Sequence, residues 1–424
     1  MKFLASAATP ILVALGCVIA PKPSEAIPAF ARKYNVKCYQ CHTIPPALNK
    51  TGYIFKRLGY RFPPDNMDGT KPAPKIADLD KDIPFRITNA MALVTQTSFT
   101  AERNTANTPQ STTSFNLDEA ALFVAGAIPT TNFSFYTQYE LFQDGQSDLE
   151  QANAIYTGGR ANSSYFVKAG EMHMQEGEGT RAAMFYNLFP TPAPLLTNID
   201  PINFSLDQHP VGVDAGYTYA TNYFKRVLAV SAKVTNGLNP DGSEIMFDSN
   251  KNAKDVWLDA DYWYADDAGV TFMTYYGSKY QDQNQGGPTA FTFEPVIRRY
   301  GVFGNYMFFD KLDVLGGYLH ARDDWKDLAN SPTESFISNG FRGEVDYYVE
   351  DGFALMARYD RMNQYITGQP TIPTEVWGVG AEKAVTERGN VVVRATYQHA
   401  RNGDPVALGS SVDKLFMLDV RLMW

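Results

Sequence analysis

From about residue 84 to Trp424 the chain repeats one pattern. Segments of roughly ten residues alternate apolar and polar side chains, and turn residues separate them. In one segment Phe353, Leu355, Ala357 and Tyr359 share a face, and Ala354, Met356, Arg358 and Asp360 share the other. In a second, Gly343, Val345 and Tyr347 alternate with Arg342, Glu344 and Asp346. Val391–Gln398 and Phe133–Leu141 read the same way. Successive side chains of a strand point to opposite faces, so each segment has one apolar and one polar side.

A soluble β-sandwich and a membrane β-barrel both alternate in this manner. Two features favour the barrel. Tyr and Phe gather near segment ends, as aromatic girdles at two interfaces require. Connections also alternate in length. Short turns fall at Ile128–Thr131, Tyr264–Gly269, Phe309–Lys311, Tyr348–Gly352 and Thr386–Gly389. Long loops fall near 100–113, 172–209, 237–253, 280–290, 323–334, 366–374 and 401–411. Short periplasmic turns and long external loops produce that rhythm. The last residues, Phe416, Leu418, Val420, Leu422 and Trp424, alternate and finish on an aromatic, as outer-membrane barrels do. The count predicts an all-β fold, a transmembrane antiparallel β-barrel of about 16 strands. An even number brings both barrel ends to the periplasmic side.

Residues 1–26 read as a cleaved secretory signal: Lys2, an apolar run from Phe3 to Ala20 broken by Pro10, then Ser24-Glu25-Ala26. Nothing later is apolar for long enough to cross a membrane as a helix, and the mean hydropathy is −0.28. Any spanning is therefore done by strands. Without Lys2, Lys22 and Glu25 the chain keeps 35 basic and 45 acidic residues, a net charge of −10. That balance argues against a nucleic-acid partner.

Of three cysteines, Cys17 leaves with the signal. The other two open Cys38-Tyr39-Gln40-Cys41-His42, a C-x-x-C-H motif. Its spacing matches two thiols adding across the haem vinyl groups, with the next histidine reaching the iron. A two-thiol redox motif would need a thioredoxin-like surround, and a zinc site would need further close ligands; neither is present. The sequence thus predicts one covalently bound haem c on Cys38 and Cys41, with His42 as proximal iron ligand. Leu48, Phe55, Leu58 and Phe62 are near helical spacing, so one short helix is expected over a haem face. The expected divisions are a signal at 1–26, a cytochrome segment at 27–62, a linker at 63–83 and a porin-like barrel at 84–424. So short a cytochrome segment cannot bury a haem unaided.

Ala26-Ile27-Pro28-Ala29-Phe30-Ala31-Arg32, then Cys38 to His42, then Pro46, Leu48 and Gly52, resemble the fused monohaem cytochrome–porins of iron-oxidising bacteria. The resemblance covers the whole architecture but is specific in sequence only over about 26–62. It implies a Gram-negative outer-membrane protein, an iron(II):cytochrome c oxidoreductase in effect. Electrons from extracellular Fe(II) would pass through the haem to a soluble periplasmic cytochrome. Similar fusions occur in bacteria that send electrons outward, so the motif is compatible with either direction. A barrel wall is about 25 Å tall, so one haem relays across it only from within the lumen. A barrel of about 16 strands has room for such a plug. The class-level alternative is a diffusion porin with a haem plug.

For the sixth iron ligand the sequence leaves several candidates: Met67 near the motif, and Met172, His173, Met174 and His209 around one long loop. A methionine ligand would raise the potential. His320 and His399 are not assigned. Glu171, Glu176, Glu178, Asp207, Asp323 and Asp324 crowd the predicted external loops; they are hard ligands for transient Fe(II) or simply solubilising charge. No H-E-x-x-H, G-x-S-x-G or phosphate loop occurs.

Overall fold

The computed structural model describes residues 29–44, 47–64, 72–104, 110–143, 146–173, 209–221, 224–236, 254–264, 268–277, 296–325, 334–366, 371–386, 389–402 and 411–423. The signal, Met67, Met174, Glu176, Glu178 and Asp207 lie outside the described residues.

Sixteen strands, from β3 (Met91–Asn104) to β18 (Ser411–Met423), form one closed barrel in which each pairs antiparallel with its neighbours in sequence. Closure comes from β18 on β3, with Asp413 opposite Asn104 and Met423 opposite Val94. The predicted strand number and fold class are those observed.

The alternation fixes which way each strand faces. Along β10 (Lys254–Tyr264), Asp255, Trp257, Asp259, Asp261 and Trp263 are buried, while Leu258, Tyr262 and Tyr264 are exposed. Along β15 (Phe353–Ile366), Arg358 and Asp360 are buried and Leu355 and Tyr359 exposed. Charges inside and hydrocarbon outside is the reverse of a soluble protein and the arrangement a bilayer selects. The inward charges are paired. Arg299 on β12 (Val296–Phe308) holds Asp323 on β13 (Leu312–Trp325) through contacts of 2.5 and 3.0 Å. Arg394 on β17 (Val391–Asn402) holds Asp419 on β18 at 2.9 and 3.2 Å. Bidentate pairing of this kind is what makes a buried guanidinium tolerable.

All five predicted short turns sit at one end of the barrel, the end where β3 begins and β18 finishes. One of them joins β12 to β13 through Phe309 and Asp310, both at positive φ (53° and 55°), as a type I′ turn demands. Two further close connections at this end lie at Arg160/Ser163 and Ala220/Arg226, and one at the opposite end lies at Gln143/Gln146. The loops expected at 100–113 and 401–411 are partly strand, since β3 runs to Asn104, β4 (Gln110–Ala127) begins at Gln110, and β17 reaches Asn402.

Ahead of the barrel, α1 (Ala29–Tyr34) leads to a 3-10 turn at Cys38–Gln40. A two-strand ladder follows, β1 (His42–Ile44) on β2 (Ala47–Leu48), and then α2 (Lys50–Arg57). The one helix expected from spacing is α2; Leu48 falls in β2 and Phe62 beyond the helix. α1 and α2 meet through Phe30, Tyr34, Phe55, Tyr60 and Phe62, with ring centroids 4.8 to 6.0 Å apart. Of the stretch read as a linker, 72–83 packs closely: Ile76 is fully buried and Asp80 bonds both Lys33 and Arg61.

Candidate functional site

The site is built around the 3-10 turn Cys38–Gln40. The Cys41 N–H donates to the Cys38 carbonyl at 3.1 Å, so both thiols project from a single turn. His42 follows directly as the first residue of β1. Asn49 clamps this turn to α2. Its amide nitrogen donates to the Tyr39 and Gln40 carbonyls at 3.2 and 3.3 Å, and its backbone N–H donates to the Cys41 carbonyl at 2.9 Å. The same side chain caps α2 by accepting from Gly52 N–H at 2.9 Å. Gly52 itself touches the motif: a Cβ there would collide with the Cys41 carbonyl oxygen. Sequence reading missed Asn49, although an Asn directly before a helical run is a legible cap signal.

The N-terminal segment is held against the inward faces of β4 to β10. Tyr53 donates to Asp261 at 2.8 Å and packs tilted against Trp263, with ring centroids 5.4 Å apart. Arg57 reaches Asp259 and Asp261 at 3.3 Å each and lies 5.1 Å from the Phe166 ring on β7 (Ser163–Glu171). Ile54 and Leu58 join Ala161, Ala220, Val227 and Trp263 in one buried cluster. Arg61 donates to the carbonyls of Ile128, Thr131 and Phe133 around a short turn, and Lys50 to the Lys225 carbonyl at another. Arg32 bonds the carbonyls of Thr88 and Met91. The segment therefore occupies the short-turn half of the barrel interior. Tyr39 reaches the other side. Its ring lies against Gly352 and Gly389, both at positive φ (74° and 78°), where any Cβ would strike it. The motif thus touches the turns that open β15 and β17.

The residues around the motif fit a covalent haem. Cys38 is buried and Cys41 half-buried, and the two are not joined to each other. Burial pushes the Cys38 thiol up to about 11 and the Cys41 thiol up to about 12, so neither is a ready thiolate for redox exchange. The Tyr39 hydroxyl and the Thr43 Oγ1 are buried with no hydrogen-bond partner among the described residues. Buried polar atoms of this kind are rare, and two of them, one within the motif and one just after it, mark a place where a further polar group is accommodated.

The other candidates lie elsewhere. His173 and His209 pack with ring centroids 4.6 Å apart just past the far ends of β7 and β8 (Val211–Ala220), with His209 Nε2 3.4 Å from Glu150. That is the long-loop end. Phe166, beside Arg57, precedes His173 by seven residues, roughly 23 Å of strand. Met172, next to them, is fully buried. The structure brings none of these three to the motif. His320 and His399 stack on Tyr300 and Trp377, which face outward. Of the acidic candidates, Asp323 is committed to Arg299, and Asp324 to Arg298, Arg322 and Ser335. Glu171 is buried. Among the described residues no cluster of three or more His, Cys, Asp or Glu is arranged to hold a free metal ion.

No protein-family model matches the chain, and no curated protein matches it. Solved structures do. An anion-selective porin from Comamonas acidovorans superposes with a TM-score of 0.53 at 9% identity, over 79% of this chain and 98% of that one. Salmonella typhi OmpF, in a complex with daunomycin, superposes with a TM-score of 0.53 at 12% identity, over 79% of this chain and 97% of that one. At these identities the likeness is one of architecture: the chain has the closed, sixteen-stranded antiparallel barrel of an outer-membrane porin.

Proposed function

We propose that this chain is an outer-membrane electron conduit of a Gram-negative bacterium, exported by a cleaved signal at 1–26. It carries one haem c on Cys38 and Cys41 with His42 on the iron. The observation that carries the reading is a juxtaposition. A two-thiol turn followed by histidine is docked inside a porin-type barrel at its short-turn end. In outer-membrane barrels that end faces the periplasm. A free-standing cytochrome of this length would lack a core, and the inward faces of β4 to β10 supply one.

The haem supplies a one-electron store between the two sides. The chain's own residues do the rest. Asn49 fixes the two-thiol turn, Tyr53 and Arg57 lock α2 to the wall, and Arg61 closes the short-turn rim. Extracellular Fe(II) gives up one electron and leaves as Fe(III), and a soluble periplasmic cytochrome gains that electron.

Adding Fe(II) to the purified, haem-loaded protein tests this: the reduced-haem spectrum appears on mixing. A haem that stays oxidised under the organism's working conditions sinks the iron-oxidising reading. The second reading, a diffusion porin whose haem segment is only a plug, is favoured by the porin architecture. It predicts solute conductance that is indifferent to changing His42. An outward, metal-reducing direction predicts a negative midpoint potential, whereas Fe(II) as donor predicts a positive one.

A further inference from the structure

We infer that the outer surface of β10 to β13 binds a phosphorylated, acylated glycolipid of the outer leaflet, through two arginines above an apolar furrow. The inference rests on the barrel and not on the haem reading. On the outward face, toward the long-loop end, Arg298 on β12 stands directly opposite Arg322 on β13. One carboxylate serves both. Asp324 accepts from Arg298 Nη1 at 2.6 Å and from Arg322 Nε at 2.9 Å, and Ser335 donates to it at 2.7 Å. Among the described residues these two guanidiniums have no second acid, so the patch keeps a positive surplus on a chain of net charge −9. Their side chains are 31% and 47% exposed, which leaves N–H donors facing outward. Like charges set opposite each other in a sheet cost stability, and a phosphate would relieve that cost while taking the spare donors. Arg322 lies ten residues beyond Leu312, about 33 Å of strand, or about 25 Å of height at the usual barrel tilt. That is the height of the apolar wall, so the pair stands where outer-leaflet headgroups begin.

Below the arginines the surface turns apolar and concave. A furrow of about 520 Å³ lies between Leu258 on β10, Phe272 on β11 (Ala268–Gly277), Tyr300 on β12 and Tyr318 on β13. The small side chains of Ala260 and Thr274 leave it open. Its volume falls in the range of ligand pockets, roughly 300–1,000 Å³. One row nearer the short turns, Gly304, Gly316 and Gly343 pair across β12, β13 and β14 (Glu334–Glu350). A Cβ on Gly343 would meet nothing within 4 Å, so the trough continues down the hydrocarbon face. Between the arginines and the furrow, Asn339 Oδ1 accepts from His320 Nδ1 at 2.7 Å and from the Tyr318 hydroxyl at 2.8 Å. The order down the wall is cationic, then polar and uncharged, then apolar. Phosphate, sugar and acyl chain come in that order in a glycolipid whose headgroup is phosphorylated. A second copy of this chain fits less well, because a two-fold contact would set these arginines against themselves.

The test uses the full-length protein folded in detergent, with purified lipid A as probe and bound lipid counted by native mass spectrometry. Wild type retains lipid A. Replacing both cations, Arg298→Gln with Arg322→Gln, weakens that binding about tenfold or more. Ala260→Phe fills the furrow without touching a charge and weakens it too. It also covers the case in which the double variant does not fold, which heat-modifiable mobility on gels reveals. Phosphatidylethanolamine offers acyl chains and a phosphate but no sugar and no net negative charge, and it binds about tenfold more weakly than lipid A. Inorganic phosphate leaves lipid A in place. Equal retention of the two lipids overturns the assignment, and so does binding that neither variant changes. Displacement by inorganic phosphate, or a dimer of the chain in place of the lipid-bound monomer, overturns it as well.

Discussion

Gly52 is where backbone freedom and the motif meet. Its Cα faces the Cys41 carbonyl oxygen so closely that a methyl group cannot enter without moving backbone. Overpacking of this kind costs about 1–3 kcal/mol, so Gly52→Ala should lower the melting temperature and loosen the two-thiol turn. A thermal melt of the purified variant measures it, and an unchanged melt would mean that the turn yields freely. At this scale the sequence was legible only where chemistry dictates spacing. Cys38 and Cys41 stand on one turn with His42 next in the chain, a placement that the two-residue spacing itself carries. Asn49 carried a readable cap signal that was not taken up. The meeting of Tyr39 with Gly352 carried none, since the two stand more than 300 residues apart in sequence. Residues related only by such a long-range contact are invisible to local pattern.

Helix α2 holds its place through one buried network. Arg57 bonds the Tyr53 hydroxyl at 3.1 Å and faces both Asp259 and Asp261, while Thr271 and Ser231 donate to the same carboxylates. Removing the cation leaves two buried acids uncompensated, which costs about 3–5 kcal/mol where water cannot enter. Arg57→Met should therefore release α2 from the wall before it unfolds the barrel. Limited proteolysis would then cut within 29–83 while the barrel keeps its folded, heat-modifiable mobility on gels; resistance equal to wild type would refute this. The strands were legible because alternation persists over whole elements, and β15 and β17 face as their patterns predict. The connection at Gln143/Gln146 was also legible in principle, since Asp144-Gly145 is a hairpin signature. α1 was not: six residues are too few for a period to declare itself, and tertiary contact through Phe30 and Tyr34 stabilises it.

The whole molecule is an inside-out solid, and that inversion makes two predictions that differ by face. Leu258 is 46% exposed on the outer side of β10, while its neighbour Asp259 is buried inside. Leu258→Arg places a cation in hydrocarbon and should cost about 2–4 kcal/mol near the midplane, read as a shifted denaturant titration of the barrel in vesicles. A cost near zero would mean that this face does not meet lipid. The second prediction concerns the interior. Every ladder of the barrel lies between Met91 and Met423, and closure is made by β18 on β3 without any N-terminal residue. Deleting 29–83 therefore removes no strand pairing. It does expose Asp259, Asp261 and Trp263, but into a lumen that water then fills, so the carboxylates regain hydration in exchange for Tyr53 and Arg57. The shortened chain should still insert as a barrel, and its single-channel conductance should rise severalfold over the full-length protein. Equal conductance would show that the N-terminal segment leaves the lumen open, and failure to insert would show that the barrel needs the segment as its core.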